Sequence, residues 1–193
     1  MAEKTLGLFG GLFDPVHLGH VRLVRAALSR FQLDALYVLP TGVPPHKPQP
    51  VLTGAQRMQL LERAFQGMPG VRVDGFEIEK RGTSYTVDTL EHFKKATQAE
   101  LYFFIGADNL SEIVSWREPD RILSLAKVVA FVRPGYPALD HYPQYAGKIR
   151  METMPESPLA SSEIRKMLKA GEPVDGALPK AVEEEIKRNG WYR

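Results

Sequence analysis

Six short apolar runs alternate with amphipathic segments along this chain, and that alternation constrains its fold more than any other feature. The strand-like runs are 5–9, 35–39, 71–73, 101–105, 128–132 and 148–151. The helix-like segments are 21–31, 54–66, 87–95, 119–125, 161–168 and 180–188. Strands that take turns with helices of this length predict an α/β fold: a Rossmann-like, doubly wound, mostly parallel sheet with helices on both faces. No linker divides the sequence, so residues 1–193 are expected to form one domain. A chain of that size can bury roughly 70% of its unfolded surface and needs no staple. Ligands in such sheets bind beyond the carboxyl ends of the strands, where strand order reverses. The residues just after strands are therefore the candidates for chemistry.

Composition narrows the chemistry by exclusion. There is no cysteine, so disulfides, thiolate metal sites and cysteine nucleophiles are out. The 25 basic and 23 acidic residues are too balanced to argue for a nucleic-acid partner. No run approaches the roughly 20 apolar residues of a membrane span, and the polar start reads as neither signal peptide nor anchor. A cytoplasmic location with no membrane partner is expected. Monomer and homo-oligomer stay open.

The first strand-like run leads into Gly10-Gly11-Leu12-Phe13-Asp14-Pro15-Val16-His17-Leu18-Gly19-His20. Two histidines three apart at the start of a helix share one face. A helix N-terminus offers backbone N–H groups and a partial positive charge, which suits phosphate. Neither a G-x-x-x-x-G-K-[ST] loop nor a G-x-G-x-x-G fingerprint is present. Near the other end, Leu159-Ala160-Ser161-Ser162-Glu163-Ile164-Arg165 reads as an N-capped amphipathic helix with Ser161 or Ser162 as the cap. A proline-rich connection, 40–50, carries His46 and Lys47, and 134–145 reads as a surface excursion. His92 and His141 look idle, Trp191 looks like a packing anchor, and Glu183 to Glu185 looks like a solvated face.

These motifs resemble those of the nucleotidyltransferase superfamily with an H-x-G-H signature. Pro44-Pro45-His46-Lys47, the run from Arg81 to Leu90, Phe104-Ile105-Gly106-Ala107-Asp108, Trp116 and Arg133-Pro134-Gly135 follow in order. The set is similar to bacterial nicotinate-nucleotide adenylyltransferases over nearly the whole chain. That resemblance implies transfer of AMP from ATP to nicotinate mononucleotide, with deamido-NAD and pyrophosphate as products. It implies that His17, His20 and Arg165 are catalytic. It places ATP against Gly10, Gly11, Phe13, His17, His20, Lys47, Ile105, Gly106, Asp108, Ser161, Ser162 and Arg165. It places the mononucleotide against Asp14, Ser84, Tyr85, Thr86, Trp116 and Arg133. Mg²⁺ is expected to arrive with ATP, with no dedicated metal site on the protein. Ala160 and Ser162 stand where the family usually has serine and threonine, and Leu12 replaces a small hydroxyl residue. The neighbouring phosphopantetheine adenylyltransferases usually carry threonine at the place of His17. A nucleotide sensor would be expected to lack one of the two histidines or Arg165.

Overall fold

The computed structural model describes residues 3–45, 48–80, 82–110, 112–132, 145, 147–154 and 160–193, with backbone alone for 107 and 108. Strand β1 (Thr5–Gly11) lies inside a sheet with β2 (Ala35–Pro40) and β3 (Val71–Val73) on one side. On its other side lie β4 (Glu100–Gly106), β5 (Lys127–Val132) and β6 (Ile149–Thr153). The order is β3-β2-β1-β4-β5-β6 and every pairing is parallel. This is the doubly wound arrangement that the alternating sequence predicts. Strand order reverses between β1 and β4, so a crevice opens at the carboxyl ends of those two strands.

Both faces of the sheet are covered, which is why the strands read as continuous apolar runs. Leu6 and Leu8 of β1 are fully buried in one layer, with Val87, Leu90 and Phe93 of α4 (Thr86–Thr97) and Ile122 of α6 (Pro119–Leu125). Phe9 faces the other layer. That layer holds Val21, Val24 and Ala27 of α1 (Leu18–Arg30) and Leu60 and Leu61 of α2 (Gly54–Phe65). Ile164 of α7 (Ser161–Ala170) and Val182 and Ile186 of α8 (Lys180–Asn189) complete it. Gly7 is required in β1, because a Cβ there would lie 2.8 Å from Leu33 and 2.9 Å from Phe104.

The structure departs from the sequence reading at several points. Helix α1 begins at Leu18, three residues before the expected start, because the histidines themselves form its cap. Short helices α3 (Phe76–Glu79) and α5 (Ala107–Leu110) and a 3-10 turn (Ile113–Ser115) were not expected from periodicity. They are too short to carry a periodic signal. Glu185 is not part of a solvated face: its carboxylate is 2% exposed and accepts from Gln59 Nε2 at 2.7 Å and Arg63 Nε at 3.1 Å. That cluster fastens α8 to α2.

Candidate active site

The loop between β1 and α1 occupies the crevice mouth. Phe13 adopts a left-handed φ of 49°, and the Asp14–Pro15 peptide is cis. Burial holds the strained residue: the Phe13 ring is 2% exposed and packs edge-on against His20, with centroids 4.9 Å apart. Gly11 sits close beside it: a Cβ there would lie 3.1 Å from the Phe13 ring. The loop's carbonyls are held from behind. Arg57 Nη1 donates to Leu12 O at 2.8 Å, Arg165 Nη1 to Asp14 O at 2.6 Å, and Ser161 Oγ to Pro15 O at 3.0 Å. The two motifs at opposite ends of the sequence are thus joined directly.

His17 and His20 form a reciprocal cap on α1. Gly19 N donates to His17 Nδ1 at 3.1 Å, and His17 N donates to His20 Nδ1 at 3.2 Å. The rings stack with centroids 3.7 Å apart. A nitrogen that accepts an N–H cannot carry a proton, so each neutral ring is protonated at Nε2. Burial lowers the His17 pKa to about 4. Burial also holds His20 well below the ordinary range, and its neighbour His17 pushes the same way. The positive end of the helix dipole opposes a charged imidazole as well. Near neutral pH the pair is two uncharged N–H donors on one face.

This corrects the expected source of phosphate donors. Backbone N–H groups at the start of α1 are committed: Gly19 N to His17 and Leu18 N to Ala177 O at 2.8 Å. The Nε2–H groups of the two histidines are not used by the cap. Helix α7 differs. Its N-cap is Ala160, with no side-chain cap bond, so neither Ser161 nor Ser162 caps the helix. Ser161 instead ties α7 to Pro15, and Ser162 is exposed. Arg165 is partly exposed, with its Nη1 on Asp14 O.

On the other face, α4 also starts without a side-chain cap, with Tyr85 at the N-cap and Thr86 as first helical residue. The Arg117 guanidinium lies over the Tyr85 ring, 4.9 Å from its centroid, which brings the 116–117 segment against the α4 start. Trp116 is partly buried and meets Phe103 edge-on at 6.0 Å. The Phe103 ring in turn lies beside Gly10. Ser84 is buried, its N–H on Val43 O at 2.9 Å. Gly106 ends β4 in open space.

Three of the residues expected at the ligands have buried side chains. Asp14 is 2% exposed, and its carboxylate accepts from Val51 N, Leu52 N and the Tyr192 hydroxyl. Its carboxylate ties the loop after β1 to the 51–52 backbone and to the end of the chain. Ile105 is fully buried and Phe13 nearly so. Lys47, His46, Arg81, Arg133, Pro134, Gly135 and His141 lie outside the described residues, as do 155–159 and the Asp108 side chain.

Sequence reasoning missed Arg57, Glu77 and Tyr192. Arg57 is 2% exposed, and its Nε has no hydrogen-bond partner among the described residues. It falls on the buried stripe of α2 with Leu60, Leu61 and Phe65, and a charge on an apolar stripe was the available signal. Glu77 is buried under the α4 start, accepting from Thr89 Oγ1 at 2.8 Å, and burial raises its pKa.

A cytidylyltransferase-like family model matches residues 8–167. A "Probable nicotinate-nucleotide adenylyltransferase" of Desulfitobacterium hafniense (strain Y51) is 36% identical, the match covering 98% of this chain and 96% of that protein. One of the same name from Salmonella gallinarum is 35% identical, covering 99% of this chain and all of that protein. This chain belongs to the nicotinate-nucleotide adenylyltransferase family. It is a nucleotidyltransferase. In fold it is similar to Plasmodium falciparum nicotinic acid mononucleotide adenylyltransferase complexed with APC. The TM-score is 0.81 at 16% identity, over 98% of this chain and 97% of that one. The same enzyme complexed with NaAD gives 0.80 at 17%, with the same coverage.

Proposed function

We propose that the crevice between β1 and β4 transfers AMP from ATP to nicotinate mononucleotide, releasing pyrophosphate, with the residue roles that follow. The observation carrying this assignment is the histidine cap, which leaves two uncharged Nε2–H donors side by side at the end of β1. The 5′-phosphate of the mononucleotide attacks the α-phosphorus of ATP, and the bond to the β-phosphate oxygen breaks. The nucleophile is already an anion, so no general base is needed. Catalysis is alignment plus stabilisation of charge on the α-phosphate and the departing pyrophosphate. His17 and His20 supply preorganised hydrogen bonds without charge. Arg165 supplies the charge, since Nη1 alone is tied to Asp14 O and the rest of its fork points to no described partner. The uncapped start of α7, with Ser161 and Ser162, adds dipole and backbone N–H groups.

Gly10, Gly11 and the Phe13 backbone border the phosphates, and Gly106 and Asp108 border the adenosine. Lys47 and Arg133 keep their expected roles toward phosphate and mononucleotide. Mg²⁺ enters as part of the MgATP substrate. Among the described residues no group of three or more His, Asp or Glu side chains could hold a metal, and Asp14 is committed to the fold. For the acceptor, the α4 start offers Thr86 N–H and hydroxyl to a carboxylate. A carboxamide would present its own donors there and lose a bond. Trp116 is the aromatic partner for the pyridine. No described helix is long and apolar enough to cross a membrane. A cytoplasmic enzyme is the reading that fits.

The test is pyrophosphate release from MgATP with nicotinate mononucleotide, nicotinamide mononucleotide and phosphopantetheine in parallel. Turnover with the first alone is expected. Equal turnover with the amide form would refute the carboxylate role given to Thr86. Turnover with phosphopantetheine alone would refute the acceptor site as a whole.

A further inference from the structure

We propose that Tyr192 is a positioning residue for the phosphate site: its hydroxyl occupies the Asp14 carboxylate, so that Arg165 stays free to bind the triphosphate. This rests on the phosphate role given to Arg165 above. The Tyr192 hydroxyl donates to Asp14 Oδ1 at 2.7 Å, and both residues are buried. Leu52 N reaches the same oxygen at 3.2 Å, and Val51 N reaches Oδ2 at 2.7 Å. Arg165 Nη1 stands 3.8 Å from Oδ2 yet 2.6 Å from the Asp14 carbonyl. A buried carboxylate beside a guanidinium ordinarily closes a short, often bidentate pair. Here three other donors already hold the carboxylate in place, two of them on Oδ1, and the guanidinium is held by a neutral carbonyl instead.

Tyr192 does not reach this place by default. Helix α8 ends in a left-handed Gly190, and Tyr192 itself takes a left-handed φ of 66°. That conformation is rare for a residue with a Cβ, and tertiary contacts hold it. The Tyr192 ring lies in the core cluster that contains Phe13, Val16 and Ile164, the residues flanking both phosphate motifs. The Glu185 cluster fixes the other end of α8 to α2. The strap therefore links three parts of the site: the loop after β1, the 48–53 connection through Val51 and Leu52, and α7 through Arg165. Burial pushes the phenol pKa up, so the hydroxyl remains a donor throughout the working range.

Without the hydroxyl, Oδ1 keeps only the 3.2 Å bond from Leu52. The carboxylate is then expected to turn toward Arg165 and draw its fork away from the phosphates. Tyr192→Phe removes the hydroxyl and keeps the ring. Expected is a drop of at least tenfold in kcat/KM for ATP and in ATP affinity by calorimetry, with KM for nicotinate mononucleotide within twofold of wild type. In an Asp14→Asn background, where no carboxylate competes for Arg165, the same change is expected to alter ATP affinity less than twofold. ATP affinity unchanged by Tyr192→Phe, or lowered equally in both backgrounds, would overturn the proposal. A measurement on the wild type needs no variant: the Val51 and Leu52 amides should exchange as slowly as those of Leu60 and Leu61 in α2. Exchange at open-loop rates would overturn it as well. Lack of wild-type turnover with nicotinate mononucleotide would refute the reaction assigned above, while calorimetry and exchange would still decide the role of Tyr192.

Discussion

Replacing His17 with asparagine separates the helix cap from the chemistry. Asparagine is among the best N-cap residues, and its Oδ1 can accept the Gly19 N–H that His17 Nδ1 accepts at 3.1 Å. It does not titrate. In the folded wild type, burial lowers the His17 pKa from 6.5 to about 4. The folded-state value is depressed, so the contribution to stability is complete above pH 6.5 and is lost as pH falls through about 4. At about 1.4 kcal/mol per pH unit the full effect is about 3 kcal/mol, or about 2 once partial exposure is discounted. Urea unfolding of wild type and His17→Asn at pH 7 and pH 4.5 reads this effect together with the smaller change at its neighbour His20, because the carboxylates common to both proteins cancel. The wild type should lose about 2 kcal/mol more than the variant over that interval, at equal m-values. Parallel losses would mean that His17 is not held neutral by the fold, and the assignment of Nε2–H as its donor would fall with it. At pH 7 the same variant should stay folded and lose roughly 10²-fold in turnover.

Three further outcomes are expected. His20→Ala should lower kcat by roughly 10²-fold or more in steady-state assays with the fold retained; unchanged turnover would remove His20 from the mechanism. Trp116→Ala should raise KM for the mononucleotide far more than KM for ATP, whereas equal effects would make its contact with Phe103 its whole role. Gly42→Ala would set a Cβ 2.0 Å from the Glu77 carbonyl oxygen and 2.8 Å from Ser84 Oγ. It should cost about 3 kcal/mol or more in denaturant unfolding and weaken mononucleotide binding, since it pushes the 41–45 loop off the segment before α4.

The sheet was legible because the inner strands β1, β2, β4 and β5 are largely buried and each long helix buries one face, so burial writes directly into periodicity. The paired histidines were legible as donors at a helix start just after a strand, and Arg165 through the resemblance of residues 159–165 to the family's second motif. What was illegible arises from long-range pairing. Asp14 looked like a ligand contact because the sequence does not reveal that Tyr192, 178 positions away, fills its carboxylate. The Trp191 anchor was visible as an aromatic near the end, but the hydroxyl beside it was not. Ser161 looked like a cap because serine is the usual choice there; its hydroxyl bonds Pro15 instead, across 146 positions. Glu185 looked solvated by its neighbours in sequence, yet Gln59 and Arg63 bury it.

In the proposed reaction, the three helices that start around the crevice mouth divide the electrostatic work. A helix start can bind an anion only if its own donors are unspent. In α1 they are spent on the histidines and on Ala177, which locks both imidazoles as neutral donors in fixed orientation. Helices α7 and α4 have no side-chain cap. Their donors and dipoles are not spent on side-chain caps, as the proposed binding of a triphosphate at α7 and a pyridine carboxylate at α4 requires. A neutral pair at the centre also suits the attack itself. A cationic imidazolium there would hold both the incoming phosphate and the leaving pyrophosphate in their ground states. Uncharged N–H groups favour charge where it gathers between the two, and the full charge of Arg165 stands beside them on α7.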